Sequence, residues 1–174
     1  MDGKDLLKVN DQIARRYACL EADLARPRSA AELFETLLAG IESSFAIPFA
    51  WLTVIRSRET ARLREELEAS PMLCDRLNIL SPELFRQVVR DPARPFLACG
   101  DLRPFFGLLP PARKFFVRSL AVAPLSLHGQ TVGSLNLGDA SPTRYEPGMD
   151  TTLLGHLAGS VSARLEERIP LFFA

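Results

Sequence analysis

The chain is short of the residue types that most enzyme chemistry draws on. Only two histidines and three cysteines occur in 174 residues. Cys19, Cys74 and Cys99 lie far apart and in no CxxC spacing, so neither a paired disulfide framework nor a thiolate metal knuckle is written into the chain. His128 and His156 are isolated, so no metal site is expected and nothing positions a nucleophile–base pair. No GxxxxGKS or GxGxxG run is present, which leaves phosphate cradling without a motif. Charge of one sign is missing too. The 21 basic and 21 acidic residues cancel, which argues against a nucleic-acid partner. No apolar run approaches the ~20 residues of a spanning helix, and the leading MDGKDLLKVND has no signal-like apolar core. A cytoplasmic location with no membrane partner is expected.

What is present suits one globular domain with a helical extension: 47% hydrophobic and 24% charged residues. The most informative stretch is Arg118 to Asp139, RSLAVAPLSLHGQTVGSLNLGD. Its Val, Leu, Ala and Thr content predicts two strands joined by a two-residue loop at His128-Gly129. Leu127 then faces Gln130, and the simplest register puts Leu120 and Val122 on one face with Leu135 and Leu137. Ser119, Ala121, Ala123 and Leu125 fall on the other face with Val132, Ser134, Asn136 and Gly138. Neither face is charged, so both are expected to be covered.

From the amino end, Leu6, Val9, Ile13, Tyr17, Leu20 and Leu24 recur at helical spacing. Leu6, Ile13 and Leu20 are seven apart, so residues 1–27 read as a helix with a possible dimer seam, and 28–174 as the domain. Ser29-Ala30-Ala31-Glu32 is a capping box opening a helix to about Phe45. Phe49 to Ile55 reads as a central strand. Residues 57–76 are highly charged and fit either an exposed helix, with Arg62–Glu66 and Arg64–Glu68 pairs, or a mobile insertion. A short edge strand is expected at Leu77–Leu80, then a helix opened by Ser81-Pro82 and stopped at Asp91-Pro92. Phe96 to Gly100 is a further strand. Pro104 to Pro111 is an apolar loop. Asp150 caps a last helix running to about Arg168.

This order resembles the GAF domain, a PAS-like sensory fold. The resemblance rests on Val117-Arg118-Ser119 through Pro124-Leu125, on His128-Gly129 to Leu137, and on Tyr145-Glu146-Pro147-Gly148-Met149 leading into the last helix. A narrower resemblance is to the bacterial family called domain of unknown function 484. It rests on Val9-Asn10-Asp11, Arg94-Pro95 with Cys99-Gly100-Asp101-Leu102, and Leu137-Gly138-Asp139 with Arg144-Tyr145-Glu146. GAF resemblance implies an α+β fold: five or six antiparallel strands, terminal helices behind that often pair as a parallel dimer, and a ligand pocket in front. The narrower family implies no established activity. The chain lacks the Cys-His dipeptide of bilin-binding relatives and the N-K…F…D-E pattern of cyclic-nucleotide binders, so neither ligand class is expected.

The candidate pocket takes Arg86, Cys99, Asp101, Arg118, Ser119, Ser134 and Asn136 as its polar handles, among apolar walls. The expectation is a non-catalytic, homodimeric sensor. It binds an unidentified small molecule without a cofactor and signals through an unknown protein partner. Two alternatives stand beside it. One is thiol redox chemistry at Cys99, near Arg103, with Cys74 as the only second cysteine in prospect. The other is a scaffold whose pocket is filled by Phe105 and Phe106.

Overall fold

The computed structural model describes residues 2–110 and 116–171. Helix α1 spans Gly3–Asp23 and α2 spans Ala30–Phe45. The capping box at the start of α2 forms, with a twist. The Glu32 amide donates to Ser29 Oγ at 3.1 Å, while the Glu32 carboxylate accepts from the amide of Arg28, one residue before the cap. Strand β1 (Phe49–Ile55) follows, then α3 (Ala61–Glu68), β2 (Leu77–Leu80), α4 (Pro82–Val88), β3 (Phe96–Cys99), β4 (Ser119–Leu127), β5 (Gln130–Asp139) and α5 (Thr152–Arg168). The strands form one five-stranded sheet in the order β2-β1-β5-β4-β3.

This is the expected α+β, GAF-like architecture with one correction: the sheet is mixed. β2 runs parallel to β1, pairing Leu52 with Leu77 and Ile55 with Leu80. The reason is α3. A parallel return needs a crossover, and the charged 57–76 segment supplies it as a helix. Leu63, Leu67 and Leu73 are buried in the core behind the sheet, so the segment is neither loose nor wholly exposed. Arg62 and Glu66 pair at 3.6 Å as their spacing predicts; Arg64 instead reaches the carbonyl of Ser57.

The hairpin carries the second correction. The turn is as expected: Leu127 pairs with Gln130, and His128 and Gly129 both have positive φ, 51° and 79°, which matches strand twist. One residue further, however, Ser126 pairs with Thr131 while Leu125 pairs with Gly133, leaving Val132 as an extra residue. This β-bulge shifts the register by one and exchanges the partners across the sheet. Ala121 and Ala123 therefore sit opposite Leu137 and Leu135, and Leu120 and Val122 opposite Gly138 and Asn136. His128 is half-buried at the turn. Its ring nitrogen lies 2.7 Å from the carbonyl oxygen of Ile169, and its amide donates to Glu166, which ties the turn to the end of α5.

Behind the sheet, α1, α2 and α5 pack on the face carrying Ala50, Leu52, Val54, Ala121, Ala123, Leu135 and Leu137. In front, Phe85, Val89, Leu102, Leu108 and Leu109 cover Trp51, Leu120 and Val122. Helix α1 joins the rear core through Leu20 and Leu24, while Leu6, Leu7 and Val9 stay exposed.

Gly133 marks the tightest point of the sheet. A Cβ there would lie 2.0 Å from the carbonyl oxygen of Thr53, a backbone atom that cannot swing away. Gly133→Ala is expected to destabilise the fold by at least ~2 kcal/mol. Urea denaturation should show a lower midpoint at unchanged slope; an unshifted midpoint contradicts the close β1–β5 approach.

Candidate functional site

The front face, where a pocket was expected, is packed with side chains. The indole N–H of Trp51 donates to the carbonyl of Leu108 at 2.7 Å, and the Asn78 amide donates to the carbonyl of Gly107 at 2.8 Å. These two bonds pin the 100–110 loop onto the sheet. Its leucines then fill the space above Trp51, and Phe105 and Phe106 pack on the same cluster.

Beneath that cover lies a closed polar chain. Ser134 Oγ donates to Asn136 Oδ1 at 2.9 Å, and Asn136 Nδ2 donates to Thr53 Oγ1 at 2.9 Å. All three residues are buried. Their groups satisfy one another, as buried polar groups must. Of the other expected handles, Arg86 is exposed and pairs with Glu83 at 3.7 Å. Asp101 is exposed and pairs with Arg103 at 2.8 Å, and that hydrogen bond holds its carboxyl down at about 2. Arg118 is exposed, while Ser119 is buried with its hydroxyl on the carbonyl of Ser141. The structure thus joins Ser134 to Asn136 but does not gather Arg86, Asp101 and Arg118 around them.

Cys99 lies elsewhere than expected. It is half-buried at the end of β3 and pairs with Ser119, which pairs with Asp139. The neighbouring row on the same side of the sheet is Leu97, Ala121 and Leu137, all on the helical side. That row floors a cavity of about 420 Å³, closed by α1, the end of α2 and the 144–154 segment. Cys99 is therefore one row away from a rear cavity, rather than in front. Arg144 links the two, lining the cavity while donating to Asp139 at 3.3 Å and to the carbonyl of Phe45 at 2.8 Å.

A second cavity of about 570 Å³ opens at the β3 edge between α4 and the 103–105 turn, lined by Arg90, Arg94, Phe96 and Phe105 among others. The thiols are dispersed. Cys19 is exposed on α1, and Cys74 is exposed just before β2. β2 and β3 are opposite edges of the sheet. Four strand spacings of ~4.8 Å put Cys74 and Cys99 roughly 19 Å apart, well beyond the ~7 Å limit for a disulfide. No cluster of three or more His, Cys, Asp or Glu suited to a metal occurs among the described residues, and no helix of these is long and apolar enough to cross a membrane.

Sequence reasoning missed the rear cavity because its polar groups, Arg16, Tyr17 and Tyr145, come from distant segments. Each looked like a helix-face or turn residue.

Asn136→Leu leaves the Thr53 and Ser134 hydroxyls without partners, so a loss of ~1–3 kcal/mol is expected. Arg118→Ala should change stability by less than ~0.5 kcal/mol. Thermal unfolding of both variants checks this; equal effects would contradict the assigned environments.

No protein-family model matches the chain, and no curated protein matches it, so the narrower resemblance to domain of unknown function 484 gains no support. Among solved structures, the chain is similar to the free methionine-R-sulfoxide reductase from Neisseria meningitidis, determined in complex with its substrate. The TM-score is 0.59 at 18% identity, over 86% of each chain. At that identity the likeness establishes fold. It also corrects the expectation of a non-catalytic module: the architecture read here as a sensor is, in this neighbour, that of an enzyme.

Proposed function

We propose that the chain carries out thiol-based redox chemistry at Cys99, reducing a small sulfoxide. The observation that carries the reading is the position of Cys99. It is half-buried at the end of a core strand, one row from the floor of a small-molecule-sized cavity. A solved protein of the same fold, described as a methionine-R-sulfoxide reductase, supports the choice of chemistry.

The step is a two-electron exchange. The sulfoxide oxygen passes to the Cys99 sulfur, giving a thioether and a Cys99 sulfenic acid. An external thiol then condenses with the sulfenic acid, forming a mixed disulfide and releasing water. A second external thiol attacks that disulfide, regenerating the Cys99 thiol and leaving an external disulfide. Cys74 cannot replace the external thiol within one chain, since it stands at the far edge of the sheet.

Turnover of methionine sulfoxide with dithiothreitol, followed by methionine formation, tests the reading. Cys99→Ser should fall to the uncatalysed rate, whereas Cys19→Ser and Cys74→Ser should each stay within about twofold of wild type, as expected for exposed residues outside the chemistry. Activity that survives in Cys99→Ser, or no activity in the wild-type protein, overturns it.

A further inference from the structure

Strand β3 ends the sheet, and its outer edge is bare. Its one strand neighbour is β4. In an antiparallel pair alternate residues turn both backbone groups toward the partner, so about half of Phe96–Cys99 turn theirs outward. Among the described residues no backbone or side-chain group outside the β3–β4 ladder bonds to this strand. The usual protections of an edge are missing from the strand itself. Its sequence, Phe-Leu-Ala-Cys, has no charge and no proline, and its pairing with β4 has no bulge.

The cavity of about 570 Å³ opens at this edge on the front of the sheet. Val88, Pro95, Phe96, Pro104 and Phe105 give it apolar walls, with the Phe96 and Phe105 ring centroids 5.7 Å apart. Its volume is within the ~300–1,000 Å³ of ordinary binding pockets. Arg90 and Arg94 also line it. Both are exposed, and neither has an ion-pair or hydrogen-bond partner among the described residues. Of the acids nearby in sequence, Asp101 is paired with Arg103 at 2.8 Å. Asp91 accepts from the amide of Ala93 at 2.9 Å. The rim therefore keeps a net positive charge.

We infer that the β3 edge is a docking site for an extended, acidic segment of a partner protein. The segment adds a strand beside β3 and seats one large apolar side chain against Phe96 and Phe105. Carboxylates two residues away, on the same face of the segment, meet Arg90 and Arg94. Backbone bonding supplies affinity, the cavity selects the apolar residue, and the arginines select the sign of charge. A second copy of this chain complements the patch poorly, because it brings the same two free arginines. The site does not rest on the thiol chemistry: Cys99 lies on the rear side with Leu97, and this cavity on the front.

The probe is an end-capped peptide of alternating Glu and Thr, with one central Glu replaced by Phe. Its binding is followed by fluorescence anisotropy at low salt. Wild-type and Cys99→Ser protein should bind it equally, within about twofold. A version with Lys for every Glu should bind at least about tenfold more weakly, as should one with Ala for Phe. Of two versions N-methylated at alternate residues, only the one whose methyl groups meet β3 should lose binding. Arg90→Glu combined with Arg94→Glu should reverse the preference between the Glu and Lys peptides at unchanged melting temperature, since both side chains are exposed. No binding of the Glu peptide, equal affinity for the Glu and Lys versions, or no difference between the two methylated versions overturns the proposal. A protein that sediments as a dimer and takes none of the peptides has a second copy on the edge, which overturns it too.

Discussion

The single residue inserted at Val132 governs how this sheet is used. Strand side chains alternate, so one extra residue in β5 exchanges every partner beyond it. With the bulge, Leu135 and Leu137 turn toward α1, α2 and α5 beside Ala121 and Ala123. Small alanines on β4 face large leucines on β5, and the helices can lie close. The same shift turns Ser134 and Asn136 to the front, where Thr53 completes their hydrogen bonds. Without it, those polar groups would meet the rear helices and the leucines would crowd the front.

The consequence for function is a reversal of sides. In front, the Trp51–Leu108 and Asn78–Gly107 bonds hold an apolar loop down over the buried polar chain, so the expected pocket is occupied by the protein's own leucines. Behind, Leu97, Ala121 and Leu137 line a cavity together with residues of α1, the end of α2 and the 144–154 segment. Cys99 stands one row beyond it, with Arg144 bridging to Asp139 of that same row. Thiol and cavity floor share one side of the sheet because Cys99 and Leu97 are two residues apart on β3, and the bulge adds Leu137 to that side.

Much of this was legible in the sequence. The Ser29 cap, the β1 limits and the His128-Gly129 turn each follow from local chemistry, and each appears in the structure. The bulge was not legible, because Thr131-Val132-Gly133 continues the strand pattern and only a tertiary contact selects the extra residue. That contact is visible afterwards: Gly133 is where β1 backbone comes too near for any side chain. The parallel direction of β2 escaped for a related reason. Four residues, Leu77 to Leu80, carry no directional signal, and the charged crossover before them hid Leu63 and Leu67, which pack inward. The candidate site fared worst. Cys99 was singled out as a thiol at a strand end, but the side of the sheet it faces depends on its pairing with β4.

The most direct test of the account is to find where oxygen lands. The protein is exposed to methionine sulfoxide with no external thiol, sulfenic acids are trapped with dimedone, and the peptides are mapped by mass spectrometry. The account predicts an adduct at Cys99, none at Cys19 or Cys74, and no disulfide within the chain between Cys74 and Cys99. An unmodified Cys99, labelling of all three cysteines alike, or an internal Cys74–Cys99 disulfide would contradict it.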